Sequence, residues 1–339
     1  MLESHGYRLR QRYKPDWKPS WLGTDLPVIL HEDYPAYTKR DTMDAVRIVD
    51  NRKVFLKRVL PNSSELVILR FLSDYQRRQD LDNHAVPLLD EFVEDGNPSI
   101  TYIAMPLLRR FHYPDFFSVD EVVDFIRQLL VGIVYMHKLN VAHRDCSKLN
   151  IMMDAERMYP KGFHPAMQVM DASGVKRAYP KRRRDASVRY YFIDFGISSK
   201  FEPEESRNVL GTLCQDFEVP ELSEMTPYDP FFTDIFILGN LFRKTFLEKY
   251  ENLCFLEPLV KEMTRHNWRY RCTSSEALQC FENIISRQSW YALRWSLKRK
   301  DVSRTSSVLQ DVESASRETV FLARKIISAF HQIWSSLLP

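Results

Sequence analysis

Three short runs in a fixed order constrain this chain more than any other feature of it. His143-Arg144-Asp145 is followed by Asn150, five positions beyond the aspartate; the strand-like YYFI leads into Asp194-Phe195-Gly196; Val219-Pro220-Glu221 comes third. Any one of these residues alone has a plain reading, since a loop aspartate such as Asp145 usually caps or closes a turn. Order and spacing are what a single residue lacks. Together the runs require a fold that carries a loop with a carboxylate and an amide, then a strand ending on a second carboxylate.

The rest of the sequence supplies elements for such a fold. Ala45 to Val49 and Lys53 to Leu60 are β-rich and flank Asp50-Asn51, which predicts an antiparallel hairpin. Pro61 to Glu65 leads into LVILRFL, a polar cap before an apolar run, as at the start of a short helix. Strand-like runs follow over His84 to Val93 and Ile100 to Leu108. From Val119 to Lys138 the residues Val122, Phe125, Leu129, Ile133 and Met136 recur at three- or four-residue steps, the spacing of one helix face. IMMD and YYFID read as strands around a polar insertion at about 155–189, and Asp234 to Lys249 and Leu256 to Arg265 read as helices. Strands crowd the first part and helices the remainder, an α+β pattern.

At 339 residues, with 44% hydrophobic and 27% charged side chains, the chain can bury a large core and is folded rather than disordered. A formal net charge of +3 lacks the basic excess of a nucleic-acid binder. The five cysteines have no CxxC spacing, so neither a disulfide framework nor a zinc site is indicated, which favours a reducing compartment. No stretch reaches 18 uninterrupted apolar residues, and the charged start has no apolar run behind it. The expectation is a soluble, cytoplasmic or nuclear protein with no nucleic-acid or membrane partner. Residues 1–40, with Trp17, Trp21, Tyr34 and Tyr37, are expected to form an extension draped over a domain. Residues 290–339 are expected to form a tail whose end, FLARKIISAFHQIWSSLL, is an amphipathic helix packing on its own domain.

With Asp234 in DIFILG and Arg271 in NWRYRC added, the three runs resemble the eukaryotic protein kinases from about Asp44 to Arg287. The phrases VAHRD, NIMMD, YYFIDFG, VPELS and DIFILGN are similar, more narrowly, to a divergent fungal set of kinase-like proteins. The resemblance implies a bilobal protein-kinase-like fold, with a small β-rich lobe over 41–106, a larger α-helical lobe over 107–289, and ATP between them. It implies transfer of the γ-phosphate of ATP, with Mg²⁺, to a Ser or Thr hydroxyl of a protein substrate. Position by position, Lys57 would hold the α- and β-phosphates, Glu65 would orient Lys57, and Asp145 would be the catalytic base. Asn150 and Asp194 would be the Mg²⁺ ligands, and Met105 would lie beside the adenine pocket where Pro106 opens the hinge. His143, Phe195 and Gly196 complete their motifs, and Arg144 would clamp a phosphorylated activation segment in which Ser198, Ser199, Ser206 and Thr212 offer hydroxyls. Arg271 would pair with Glu221, and Asp234 would lie on a buried central helix.

The sequence departs from that pattern in four places. The stretch YTKRDTMDAVRIVDNRKVF before Lys57 has no glycine, so its backbone amides cannot approach phosphates as freely as a glycine-rich loop permits. Phe55 should share a strand face with Lys57, where the family usually keeps a small alanine beneath the adenine. Ser147 stands two positions after Asp145, where the family has a lysine, and Lys148 is one position later. Only eight positions separate Lys57 from Glu65, which puts Glu65 in the first turn of a short helix. These departures motivate a second reading, a pseudokinase that binds partners with weak or no ATP turnover. A small-metabolite kinase accounts poorly for Glu221, Asp234 and Arg271. Lys181 to Arg184 reads as an exposed loop, and Cys146, beside Asp145, has at most a redox role.

Overall fold

The computed structural model describes residues 1–34 and 41–301, with 316 and 319 as isolated positions. Tyr37 and the amphipathic C-terminal stretch lie outside the described residues. The sheet takes its first strand from the segment expected to be an extension: β1 (Tyr7–Leu9) pairs antiparallel with β2 (Thr42–Arg47). Tyr7 is fully buried, and its hydroxyl donates to Asp90 at 2.7 Å. An unpaired edge on β2 would otherwise present open N–H and C=O groups, so pairing with β1 closes it.

β2 turns into β3 (Arg52–Val59) with Arg47 opposite Arg52. Asn51 adopts the left-handed conformation of the turn at φ 54°, and Asp50 accepts from both the Arg47 guanidinium and the Arg52 N–H. The loop therefore consumes Ile48 and Val49, which the sequence pattern places in the strand; both are exposed. β4 (Asp90–Glu94) and β5 (Asn97–Pro106) complete a five-stranded sheet in the order β1-β2-β3-β5-β4. β4 is shorter than its apolar run because His84 to Val86 turn inward instead, His84 Nδ1 meeting the Tyr190 carbonyl at 2.7 Å. Between β3 and β4 lie α1 (Ser64–Leu72), capped by the Ser63 hydroxyl, and the short α2 (Tyr75–Gln79), capped by Asp74.

The sheet packs on both faces, following the two-residue alternation of its strands. Val54, Leu56, Tyr102 and Ala104 join Leu2 and Tyr7 on one face. Phe55, Ile103 and Met105 face the main core on the other. Past β6 (Arg109–Arg110), α3 (Val119–Lys138) is the axis of that core, with Phe125, Ile126, Leu129, Leu130 and Ile133 fully buried. Glu121 accepts the Phe117 N–H at its start, and Asn140, at φ 56°, turns the chain out at its end. Gly132 is needed where α3 passes His84, because a Cβ there would fall 2.5 Å from the His84 Cβ.

Beyond α3 come β7 (Val141–Ala142), β8 (Ile151–Asp154), α4 (Arg183–Ala186), β9 (Arg189–Phe192), β10 (Ser199–Lys200), β11 (Val209–Gly211) and β12 (Ser223–Tyr228). Helices α5 (Pro230–Phe242), α6 (Glu257–Met263), α7 (Ser274–Ile285) and α8 (Trp290–Leu293) follow. Ser296 bridges Ser118, and Leu297 enters the main core, so the chain just past 290 packs back on this body. Among the described residues no helix is long and apolar enough to cross a membrane.

The insertion between β8 and β9 is packed rather than loose, and the expectation that Lys181 to Arg184 forms an exposed loop fails at Arg183. That side chain is buried, donates to the Pro114 carbonyl and to the Tyr190 hydroxyl, and lies 4.1 Å from the Phe116 ring centroid. Arg109 is likewise buried between Tyr159 and Phe163, at 4.2 and 4.7 Å from their centroids. Guanidinium groups suit such sites because their weakly hydrated faces stack on aromatic rings. A charge count along the sequence cannot see those rings.

Candidate active site

The ladder between β3 and β5 places Lys57 opposite Ile103 and Phe55 opposite Met105. Lys57 Nζ donates to both oxygens of Glu65, at 2.7 and 2.8 Å, and to Asp194 Oδ1 at 3.1 Å. The eight-residue spacing does not prevent the ion pair, because the connection from β3 to α1 is short and the first turn of α1 lies directly beside the strand. Burial works against the charge on Lys57, but Glu65 and Asp194 outweigh it and raise the ammonium pKa. Burial also raises the Glu65 carboxyl, against the pull of Lys57. Two carboxylates on one cation favour the charged form of Lys57.

Asp194 ends the strand–turn after β9 in a left-handed conformation, φ 64°, and Phe195 behind it is fully buried 4.9 Å from the His143 ring. At Gly196 an added Cβ would meet Asp194 Oδ1 at 3.4 Å, and its carbonyl accepts the Ser64 hydroxyl of α1 at 3.3 Å. The Ile193 N–H donates to the Asn150 carbonyl at 2.9 Å, which ties this segment to the loop of Asp145. His143 is fully buried; its Nε2 meets the Ile193 carbonyl at 3.1 Å while Nδ1 accepts the Asp145 N–H at 3.3 Å. Burial lowers its pKa, so the ring is the neutral Nε2–H tautomer.

One buried carboxylate organises the loop. Asp234, on α5 and fully buried, accepts the N–H groups of His143 and Arg144 at 2.8 and 2.6 Å, and His137 Nε2 at 3.0 Å. The Cys146 thiol reaches it at 3.5 Å. Burial raises the Cys146 pKa well above its ordinary value, so this cysteine is a packed thiol and not a reactive one. Arg144, at φ 69°, donates to the carbonyls of Ile197 and Leu210 at 3.2 and 3.0 Å and to the Ser199 hydroxyl at 3.4 Å. It therefore lies against the segment it is expected to clamp. Of the four hydroxyls of that segment, Ser198 is buried and donates to the His143 carbonyl, whereas Ser206 and Thr212 are exposed.

Asp145 is 7% exposed, and Asn150 Nδ2 donates both to its carbonyl at 3.0 Å and to its Oδ2 at 2.7 Å. Gln215, which the sequence does not single out, donates to the same carboxylate through its backbone N–H at 3.1 Å and its side chain at 2.8 Å. Below this lies the pair of Glu221 and Arg271, at 2.6 and 3.0 Å and almost wholly buried.

The donor set fits Mg²⁺. Asn150 spends its amide nitrogen on Asp145, which leaves its oxygen for a cation, and Asp194 offers a carboxylate that is 44% exposed. These are hard oxygen donors, and one carboxylate with an amide is the sparse protein contribution that Mg²⁺ takes when phosphates supply the rest. Among the described residues no group of three or more His, Cys, Asp or Glu could hold a metal unaided.

In place of a glycine-rich turn, a long connection joins the first two strands. Residues 10–41 connect β1 to β2 with Gly23 as their single glycine. Glu32 of this connection meets the buried His164 of the insertion at 3.2 Å, while Arg10 pairs with Asp44 of β2 at 2.8 Å and lies 3.3 Å from His164. Phe55 packs against the main core on the Lys57 face. Phe55→Ala is expected to tighten Mg²⁺·ATP binding about 3- to 10-fold by opening space beside Met105, at a cost of about 1–2 kcal/mol in stability. Calorimetric titration checks this, and an unchanged or weaker affinity would place the ring outside the nucleotide's volume.

The sequence model of the protein kinase domain matches residues 58–304. Calcium-dependent protein kinase 4 of Plasmodium falciparum (isolate 3D7) is 28% identical over 137 residues, which cover 39% of this chain and 21% of that protein. The protein of the same name from Plasmodium berghei (strain Anka) is also 28% identical over 137 residues. The chain thus spans 21% of the length of either of these curated relatives. With a family match over well more than half of its residues, this chain belongs to the protein kinase domain family.

Proposed function

We propose that this protein transfers the γ-phosphate of ATP, with Mg²⁺, to a Ser or Thr hydroxyl of a protein substrate. The observation that carries the reading is convergence: Lys57 and Asp194, 137 positions apart, are hydrogen-bonded, and Ile193 joins them to the loop of Asp145 and Asn150. A structure without this chemistry has no need to bring an ionised lysine, two metal-type oxygens and a held carboxylate together. We read residues 41–106 with β1 as the smaller lobe and 107–289 as the larger, the nucleotide lying between. The narrower likeness to fungal kinase-like proteins rests on the sequence phrases alone.

In this reading Lys57, held by Glu65, neutralises the α- and β-phosphates. Asn150 and Asp194 hold Mg²⁺, which when bound supplies charge neutralisation on the phosphate oxygens. Asp145 takes the proton of the substrate hydroxyl as its oxygen bonds to the γ-phosphorus. The bond from that phosphorus to the bridging oxygen breaks, and ADP leaves with the electron pair. The alternative, a binding scaffold without turnover, is favoured by Phe55 and by the missing glycines.

Transfer of labelled γ-phosphate to histone and to the chain itself, with and without Mg²⁺, tests the reading. Asp194→Asn keeps the volume and removes the ligand charge, and should reduce Mg²⁺-dependent labelling at least about 100-fold. Full labelling in that variant would remove Asp194 from the metal site. Hydrolysis of the labelled product to phosphoamino acids decides between Ser/Thr and Tyr.

A further inference from the structure

The carboxylate of Asp145 is held from two sides. Asn150 and Gln215 both donate to Oδ2, at 2.7 and 2.8 Å, and the Gln215 N–H donates to Oδ1 at 3.1 Å. Because the carboxylate only accepts, the Gln215 amide must turn its nitrogen inward. Backbone and side chain of one residue thus grip both oxygens. The catalytic loop itself contributes nothing comparable on that side: Ser147 is 8% exposed, and its buried Oγ has no hydrogen-bond partner among the described residues. Among the described residues, no lysine or arginine lies within ion-pair distance of Asp145.

The segment that delivers Gln215 is anchored rather than resting there by chance. Asp216 accepts from Asn240 Nδ2 of α5 at 2.8 Å and from Lys244 at 3.1 Å, and Glu218 pairs with Arg243 at 2.6 Å. Gln215 itself is exposed, so its side chain adds little to folding and can be exchanged without emptying the core.

We infer that Gln215 is a positioning residue for Asp145: it fixes the plane of the carboxylate with neutral donors, the part that no cation of the catalytic loop plays here. This rests on the reading of Asp145 as the base. A base whose plane is fixed presents one lone pair in a constant direction to the incoming hydroxyl, and loosening it lowers the fraction of productive encounters. The effect falls on kcat, since neither nucleotide nor metal touches Gln215 in this reading.

The test compares wild type, Gln215→Met and Gln215→Lys in steady-state phosphate transfer to histone, with KM for ATP and unfolding temperature measured on each. Gln215→Met keeps the length and loses the donor. Its kcat should fall about 10-fold, as expected for one hydrogen bond to a charged group, with KM for ATP within about twofold. Gln215→Lys returns a donor of similar reach and should recover most of the loss. Three outcomes overturn the inference while leaving the base reading intact. These are an unchanged kcat in Gln215→Met, a raised kcat, which would make the contact a block on the base, or a loss that Gln215→Lys does not recover. Absence of transfer by the wild type would overturn both together.

Discussion

Asp145→Asn will lower kcat for phosphate transfer by roughly 10²- to 10⁴-fold, the range that a positioned general base contributes. The substitution keeps the shape of the side chain, so the loss reports chemistry rather than collapse. It also turns one acceptor into a donor. Oδ2 of Asp145 receives Asn150 and Gln215, and Oδ1 receives the Gln215 N–H, so wherever the new amide nitrogen lies it faces a donor. With the nitrogen on the Oδ1 side, which faces the single Gln215 N–H, one hydrogen bond is lost, at a cost of about 1–2 kcal/mol, which leaves the protein folded. Initial rates with labelled ATP, beside an unfolding curve for each protein, separate the two effects. Transfer by the variant at the wild-type rate would remove Asp145 from the base role. Equal background in both proteins would move the assignment to the binding scaffold.

The parts of this candidate site that share a local spacing are legible in the sequence, for a reason that lies in its chemistry. Asp145, Asn150 and Asp194 sit at spacings set by a loop and a strand end, and local spacing is preserved in a linear sequence. The ion pair of Lys57 and Glu65 was legible as residue types but not as geometry, since the short β3–α1 connection decides whether the two can meet. What the sequence hides is contact between distant segments. Gln215 lies seventy positions from Asp145, and no pattern around it marks it as a donor to that carboxylate. Tyr7–Leu9 is too short a strand to show alternation, and it becomes one only because β2 offers an edge. Arg109 looks like a surface charge until Tyr159 and Phe163 of the insertion enclose it, and Arg183 of the insertion does so until it is laid against Phe116. The missing glycines are visible in the sequence, whereas the contacts of Arg10 with Asp44 and of Glu32 with His164 are not, because those partners are remote in the chain.

The largest stability effect is expected at the other end of the same segment. Arg271→Met should destabilise the protein by about 3–5 kcal/mol, because removing one partner of a buried pair leaves the other charge uncompensated. The Arg271 side chain is fully buried, and Glu221 is only 4% exposed. Without the guanidinium, Glu221 keeps, among the described residues, the Thr233 hydroxyl at 3.0 Å alone, and the carbonyls of Phe232 and Arg265 lose the Arg271 donor as well. The double change Arg271→Met with Glu221→Gln removes the stranded charge and should recover part of the loss. Urea unfolding of the two variants and the wild type gives the three free energies. A loss below about 1 kcal/mol in Arg271→Met would mean that water reaches Glu221 and that the pair is not structural. The consequence reaches the chemistry through the chain itself: Glu221 lies six residues beyond Gln215 on one segment, and Gln215 grips Asp145. Releasing Glu221 should therefore lower kcat at temperatures where the variant is still folded, coupling the anchor under the segment to the aim of the base.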